Sequence, residues 1–94
     1  MVEKAVVYCG PSIYRVARQY TVFIERDGRL PTYLEDFIAQ YPITRKLIIP
    51  IDDFAAFDGR LRTRGTEEAN WYEQLKSEVP SEILTINRIQ QQKV

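Results

Sequence analysis

The sequence predicts an α+β fold in which a small mixed β-sheet carries two to three helices packed on one face. Short β-branched and aromatic runs alternate with segments of helical periodicity, in the order β-β-α-β-α-α with room for a final β. The chain has 94 residues, 45% of them hydrophobic, which suits one globular domain. We expect a single compact domain over residues 1–89 and a frayed C-terminal tail over residues 90–94.

Three runs of residues have the composition of strands. Residues 4–9 (KAVVYC) and 19–25 (QYTVFIE) are rich in β-branched and aromatic side chains, and Gly-Pro and Asp-Gly pairs close them. Residues 46–49 (KLII) form a short apolar run that Pro50 ends, which predicts a central strand. Residues 13–18 fit either a short helical turn or an ordered loop.

Three further segments have the features of helices. Residues 31–41 place apolar side chains at i, i+3, i+4 and i+7, namely Leu34, Phe37, Ile38 and Tyr41. Asp52 can cap a second helix that runs to about residue 64, with Gly65 beyond its end. Thr66 can cap a third helix that ends near residue 79. Residues 81–89 fit neither the helical nor the strand period well, so a last strand and a helix both stay open.

Charge and composition exclude several function classes. Thirteen basic residues balance thirteen acidic ones, which argues against a non-specific nucleic-acid binder and favours self-association as a homo-oligomer. A lone cysteine, Cys9, excludes an internal disulfide and suits a reducing cytoplasm. No apolar run is long enough for a signal peptide or a membrane span. There is no histidine, which removes histidine-based nucleophilic catalysis and histidine metal ligands, so we expect no enzyme activity and no cofactor.

The segment that follows the first strand is the strongest candidate for a binding site. A glycine lets a ligand approach the backbone, a helical turn would offer free N–H groups to an anion, and arginines three apart would share its face. Guanidinium forks with adjacent tyrosines suit a phosphate and a stacked base. The residues predicted to bind are Gly10, Pro11, Ser12, Tyr14, Arg15 and Arg18. The alternative is a strand-ending turn in which Ser12 caps a short helix and the arginines are solvated.

A second basic cluster lies in the middle of the chain and comprises Arg45, Lys46, Arg60, Arg62 and Arg64. Arg45 and Arg62 are predicted to make a weaker, second contribution to ligand binding. The alternative is pairing with the acidic residues 66–82, within the chain or between subunits. Cations at the end of a helix are also favourable to its dipole.

Two other clusters have simpler explanations. Asp52, Asp53 and Asp58 could hold a divalent cation or serve a metal-dependent phosphodiesterase. A helix cap and exposed carboxylates explain them better, so no metal site is expected. Trp71 and Tyr72 are typical of a helix's buried face, and an exposed tryptophan there would instead anchor a protein interface.

Several short motifs resemble a group of small proteins encoded by tailed phages and prophages. The motifs are Tyr8-x-Gly10-Pro11-Ser12-Ile13, Thr21-Val22-Phe23, Gly28-x-Leu30-Pro31, Pro42-Ile43, Leu47-Ile48-x-Pro50 and Gly65-Thr66. The resemblance covers residues 8–75. The group has no settled biochemical role, so it supplies no functional residues. It implies a phage product that acts in the cytoplasm of a bacterial host cell.

Two roles are expected in that setting. One is a sponge, a homo-oligomer that sequesters a cyclic nucleotide or an ADP-ribose-derived bacterial immune signal without degrading it. The other is a structural or assembly adaptor that binds protein partners through the face of Trp71 and Tyr72. The lack of catalytic residues, together with the Gly-Pro-Ser turn, the paired arginines and the tyrosines, favours the sponge.

Overall fold

The computed structural model describes residues 2–84 and confirms the α+β class. Strands β1 (Glu3–Tyr8), β2 (Val22–Arg26) and β3 (Ile48–Pro50) form one sheet in the order β2-β1-β3. Both neighbours of β1 run antiparallel to it, so the described sheet is antiparallel, where a mixed sheet was predicted. Side-chain composition predicts that a segment is a strand, but it does not encode the direction in which that strand enters the sheet.

The strand boundaries differ from the predicted ones for local reasons. Residues 19–21 have a strand-like composition, yet Tyr20 has a φ of +73°, which lies outside the β region, so β2 begins at Val22. Residues 42–47 form a 3₁₀ helix because Pro42 stands at its start, so the third strand begins at Ile48 and not at residue 46.

The helices α1 (Thr32–Gln40), α2 (Phe54–Leu61) and α3 (Glu67–Glu78) confirm the three predicted segments. The second is shorter than predicted, because residues 51–53 form a 3₁₀ turn and Asp52 does not cap α2. No helix in the described part of the chain, residues 2–84, is both long and apolar enough to cross a membrane. Ser81–Ile83 is a 3₁₀ turn, and residues 85–94, with the predicted domain end and tail, lie outside the described residues.

The core forms where β1 meets the helices. Val6, Val7 and Tyr8 of β1 are buried, together with Leu34 of α1 and Leu75 of α3. On β2 the two faces differ. The ring of Phe23 lies 6.5 Å from that of Tyr33 on α1, whereas Val22 and Ile24 on the opposite face are 52% and 45% exposed. At β2, therefore, α1 covers one face of the sheet and leaves the other open.

Thr44 carries a fully buried hydroxyl that has no hydrogen-bond partner among residues 2–84. A Thr44→Val substitution keeps the shape of the side chain and removes this unsatisfied group. We expect it to raise the free energy of unfolding by about 1 kcal/mol, measured by urea denaturation. Thr63→Val is the control, because the exposed Thr63 hydroxyl donates to the Gly59 carbonyl oxygen at 2.8 Å, and it should bring no gain. A loss of stability in Thr44→Val would contradict this account.

Candidate functional site

Gly10, Pro11 and Ser12 are used by the fold itself. A Cβ atom on Gly10 would lie 2.6 Å from the Tyr8 hydroxyl oxygen, so only glycine fits against that ring. The Tyr8 hydroxyl donates a hydrogen bond to the Pro11 carbonyl oxygen at 2.6 Å. The Ser12 hydroxyl accepts a hydrogen bond from the Gln19 N–H at 3.0 Å. Packing and internal hydrogen bonds therefore explain the residue types of this turn.

The next residues form a tight loop and not the helical turn that was one of the two alternatives. Ile13 and Ala17 exchange backbone hydrogen bonds of 2.8 and 3.1 Å, and Arg15 between them has a φ of +66°. The Tyr14 N–H donates to the Ile83 carbonyl oxygen. These N–H groups are consequently occupied, so the loop does not offer an anion the free helix terminus that a helical turn would provide.

The side chains of this loop line a shallow groove of about 440 Å³. The guanidinium of Arg15 lies 5.3 Å from the centre of the Tyr14 ring, and Arg18 is also in the lining. The structure thus brings Tyr14, Arg15 and Arg18 together on one loop surface. Gly10 and Pro11 do not line this groove.

The basic residues of the middle segment are distributed over the molecule. Arg45 is 3.8 Å from the Glu25 carboxylate of β2, and the Lys46 ammonium lies 5.0 Å from the centre of the Trp71 ring. Arg60 Nε is 2.8 Å from Glu68, which is one pairing of the kind that the alternative interpretation predicted. Arg62 lies elsewhere, in a cleft beside the connection between α2 and α3.

This interhelical cleft has a volume of about 550 Å³ and is the best-formed concave surface that we find in residues 2–84. It opens between the end of the β1–β2 connection, the α2–α3 connection and the first two turns of α3. Its aromatic, charged and amide side chains are those of Gln19, Tyr20, Arg62, Arg64, Asn70, Tyr72 and Glu73. Clefts of this size, with a few convergent polar groups, are typical of small-ligand sites.

Tyr20 is held at the cleft by several contacts. Its hydroxyl donates to the Asp58 carboxylate at 2.7 Å, and its ring meets that of Phe54 edge-on with centroids 5.4 Å apart. Its φ of +73° is a left-handed conformation that costs a non-glycine residue about 1 kcal/mol. Partial burial and the bond to Asp58 raise the pKa of Tyr20, so its hydroxyl stays protonated. The surrounding contacts keep this side chain in place despite the backbone strain.

Arg62 shares the Asp58 carboxylate with Tyr20. Its Nε lies 3.1 Å from Asp58 one helical turn earlier, while most of the guanidinium remains exposed. The Tyr20 hydroxyl and then the Asp58 carboxylate raise the pKa of Arg62 further above its usual value. Asp58 therefore orients one phenol and one guanidinium at the same edge of the cleft.

The α2–α3 connection places Arg64 at the cleft. The Thr63 and Thr66 hydroxyls donate to the last carbonyl oxygens of α2, which ends the helix early, and Gly65 takes a φ of +90° that favours glycine. Thr66 also accepts a hydrogen bond from the Ala69 N–H, as its predicted role as a cap requires. Within residues 2–84 the Arg64 guanidinium makes no hydrogen bond or ion pair, so its donors are open to a ligand.

The N-terminal half of α3 supplies the remaining wall. Tyr72 is half-buried, and burial followed by the neighbouring Glu73 carboxylate raises its pKa, so the hydroxyl remains a donor. Asn70 adds an exposed amide, and Glu73 adds one carboxylate to the lining. Trp71 does not line the cleft, and its ring stacks on that of Phe57 with centroids 6.4 Å apart. Trp71 is therefore part of the packing between α2 and α3, as predicted for the buried face of the third helix.

One predicted site residue, Arg62, thus lies in the best-formed cleft, and sequence reasoning missed its other walls. The sequence predicts Tyr20 in a strand and Tyr72 on the buried face of the third helix. The sequence does contain a signal for Arg64, since two arginines precede a Gly-Thr pair that separates two helices. In residues 2–84, no three cysteine, aspartate or glutamate side chains are grouped as metal ligands would be.

No protein-family model, curated protein or solved structure matches this chain. The fold and the cleft consequently define its class on physical grounds alone, as a small α+β protein with a mixed basic and aromatic cleft. The resemblance to small phage proteins stays a prediction.

Proposed function

We propose that this chain is a non-catalytic binding protein that holds a phosphate-bearing small ligand in the interhelical cleft. The ligand class we favour is a cyclic nucleotide or an ADP-ribose-derived signal, sequestered intact in a bacterial cytoplasm. One observation carries the proposal. The guanidinium groups of Arg62 and Arg64 share a cleft of about 550 Å³ with the phenols of Tyr20 and Tyr72.

Each group has a chemical role toward such a ligand. Arg64 has open donors that suit a phosphate, and Arg62 can add a second fork while Asp58 orients it. The rings of Tyr20 and Tyr72 provide surfaces against which a base can pack. The Asn70 amide and the Glu73 carboxylate are suited to the polar edge of a base or to a ribose hydroxyl. Phosphate, base and sugar therefore each find a matching group.

The basic loop of Arg15 and Arg18 is the competing location. Its groove is smaller and exposes fewer polar groups. The backbone N–H groups of Ile13, Tyr14 and Ala17 in this loop already donate to carbonyl oxygens of the chain. The interhelical cleft has two arginines as well, and it also has the half-buried ring of Tyr72 and the polar side chains of Asn70 and Glu73. Hydrogen bonds of the Thr63 and Thr66 hydroxyls hold its α2–α3 connection in place. For these reasons we place the ligand in the cleft.

Isothermal titration calorimetry against cyclic di- and trinucleotides and the isomers of cyclic ADP-ribose tests the proposal. We expect at least one of them to bind at a single site per chain. Ligand recovered after heat denaturation of the complex should have its original mass, because the raised pKa values of Tyr20 and Tyr72 keep both phenols protonated. The absence of binding with every ligand would contradict the proposal, and a cleaved product would contradict its non-catalytic part.

Arg64→Ala separates the two locations. It should weaken binding about 10- to 100-fold, because hydrogen bonds to a charged group are worth about 1.5–3 kcal/mol. Arg18→Ala is the matched control, an exposed arginine in the basic loop, and it should leave the affinity unchanged. Loss of binding in Arg18→Ala with no change in Arg64→Ala would move the site to the loop.

A further inference from the structure

The two edges of the sheet are protected to different degrees. On the β3 edge, the Cys9 N–H donates to the Leu47 carbonyl oxygen. The backbone groups of Ile48 and Pro50 therefore point away from β1. The Ile48 N–H already donates to the Arg45 carbonyl oxygen, and proline has no N–H. The outward positions of β3 therefore offer no free N–H group to another strand, as is usual for a protected edge.

The β2 edge lacks this protection. The Tyr8 N–H donates to the Thr21 carbonyl oxygen, and the Asp27 N–H donates to the Val2 carbonyl oxygen. Backbone N–H and C=O groups alternate in direction along an antiparallel strand, so those of Val22 and Ile24 point away from β1. No backbone hydrogen bond in residues 2–84 satisfies these outward groups. Both side chains are also about half exposed. This segment thus presents unpaired main chain and apolar side chains together.

The chain leaves room beside this edge. Arg26 and Arg29 exchange two hydrogen bonds of 2.9 Å, but the Leu30 N–H then turns to the Glu35 carboxylate. The pairing stops there, and a groove of about 440 Å³ opens between Ile24 and Pro31. Another strand can enter this groove and pair with β2.

From this geometry we propose that the β2 edge is a self-association surface, which pairs antiparallel with β2 of a second copy about a two-fold axis at Phe23. In this register Val22 lies opposite Ile24 of the partner subunit, so apolar side chains meet on the exposed face. Glu25 falls opposite the partner's Thr21, and the pairing ends before Arg26, whose N–H and C=O groups are already bonded to Arg29.

Two neighbouring registers would also pair the outward N–H and C=O groups of β2, but each of them brings unfavourable residues opposite each other. An axis at Val22 sets Ile24 opposite the partner's Tyr20, a residue whose φ of +73° lies outside the β region and whose N–H already donates to the Tyr8 carbonyl oxygen. An axis at Ile24 sets Glu25 opposite the partner's Phe23 and so presses a carboxylate against an apolar ring. The zero net charge of the chain also removes overall repulsion between two copies. Self-complementarity in one register is the reason to name a second copy as the partner.

Sedimentation equilibrium from low micromolar to millimolar concentration tests this inference. We expect a weak, reversible dimer because the paired edge is short. Ile24→Lys should abolish it, since a charge on an edge strand opposes pairing. Ile51→Lys is the matched control, because Ile51 is 47% exposed and Ile24 is 45% exposed, and it should dimerise as the wild type does. Circular dichroism checks that both variants fold.

The register has its own readout. In a mixture of isotope-labelled and unlabelled chains, a filtered nuclear Overhauser experiment should connect Val22 of one copy with Ile24 of the partner subunit. A wild type that is monomeric at every concentration would overturn the inference, as would a dimer that Ile24→Lys leaves intact. These outcomes do not depend on ligand, so they are independent of the proposed function.

Discussion

Replacing Gly10 with alanine is expected to lower the free energy of unfolding by about 3 kcal/mol, the upper end of the usual overpacking penalty. The added Cβ would lie 2.6 Å from the hydroxyl oxygen of Tyr8 and 2.8 Å from the ring carbon that carries it. Tyr8 is fully buried, and its hydroxyl is fixed by the Pro11 carbonyl oxygen, so the ring has nowhere to move. Urea denaturation monitored by circular dichroism measures the loss.

Gly59→Ala is the matched control for this substitution. Gly59 lies in α2, and a Cβ there would meet nothing within 4 Å. Alanine should therefore stabilise the helix by about 1 kcal/mol. If Gly10 served only ligand approach, Gly10→Ala would fold as well as the wild type and lose binding. Wild-type stability in Gly10→Ala would contradict the packing role assigned to this residue.

The protein is also expected to lose several kcal/mol of stability between pH 9 and pH 12. Burial, with a smaller effect of the Asp58 carboxylate, raises the pKa of Cys9 from 9.0 to about 12. Burial raises the pKa of Tyr8 above its ordinary value of 10.0 as well. Both groups stay neutral in the folded protein, whereas the unfolded chain releases their protons. Stability is therefore fully present below pH 9. It falls by about 1.4 kcal/mol per pH unit above pH 9 for Cys9, and by a similar amount above pH 10 for Tyr8.

Cys9→Ala separates the thiol from the phenols. The unfolded tyrosines begin to ionise only near pH 10, so the fall between pH 9 and pH 10 belongs mainly to Cys9. Urea denaturation at half-unit steps of pH should show that fall in the wild type and not in Cys9→Ala. An equal slope in both proteins over this interval would show that the thiol is not the group that titrates.

The sequence predicted the elements whose cause is local. The spacing of Leu34 and Phe37 gives α1 a buried side, and the Thr66 hydroxyl caps α3 as expected. The sequence predicts Gly10 as a ligand-binding residue, whereas the structure gives it a packing role against the Tyr8 ring. A close approach between two residues near in sequence still depends on how the chain turns between them.

The cleft depends on contacts that no local pattern encodes. Tyr20 has a left-handed conformation, and Asp58, 38 residues later, accepts its hydroxyl hydrogen bond. The same carboxylate orients Arg62, so three residues from two segments act together. The early end of α2 is set by threonine hydroxyls on its last carbonyl oxygens. Propensity alone would continue the helix to residue 64 and place Arg64 on it.

The position of the ligand is tested most directly by the arginine side-chain resonances. In ¹⁵N–¹H spectra of the Nε–H groups, each cyclic nucleotide that binds should shift Arg62 and Arg64 and leave Arg15 and Arg18 unchanged. Direct hydrogen bonding to phosphate moves these signals, since the Nε–H is one of the donors of the guanidinium fork. Shifts confined to Arg15 and Arg18, or no shift with any ligand of the panel, would contradict the assignment of the interhelical cleft as the binding site.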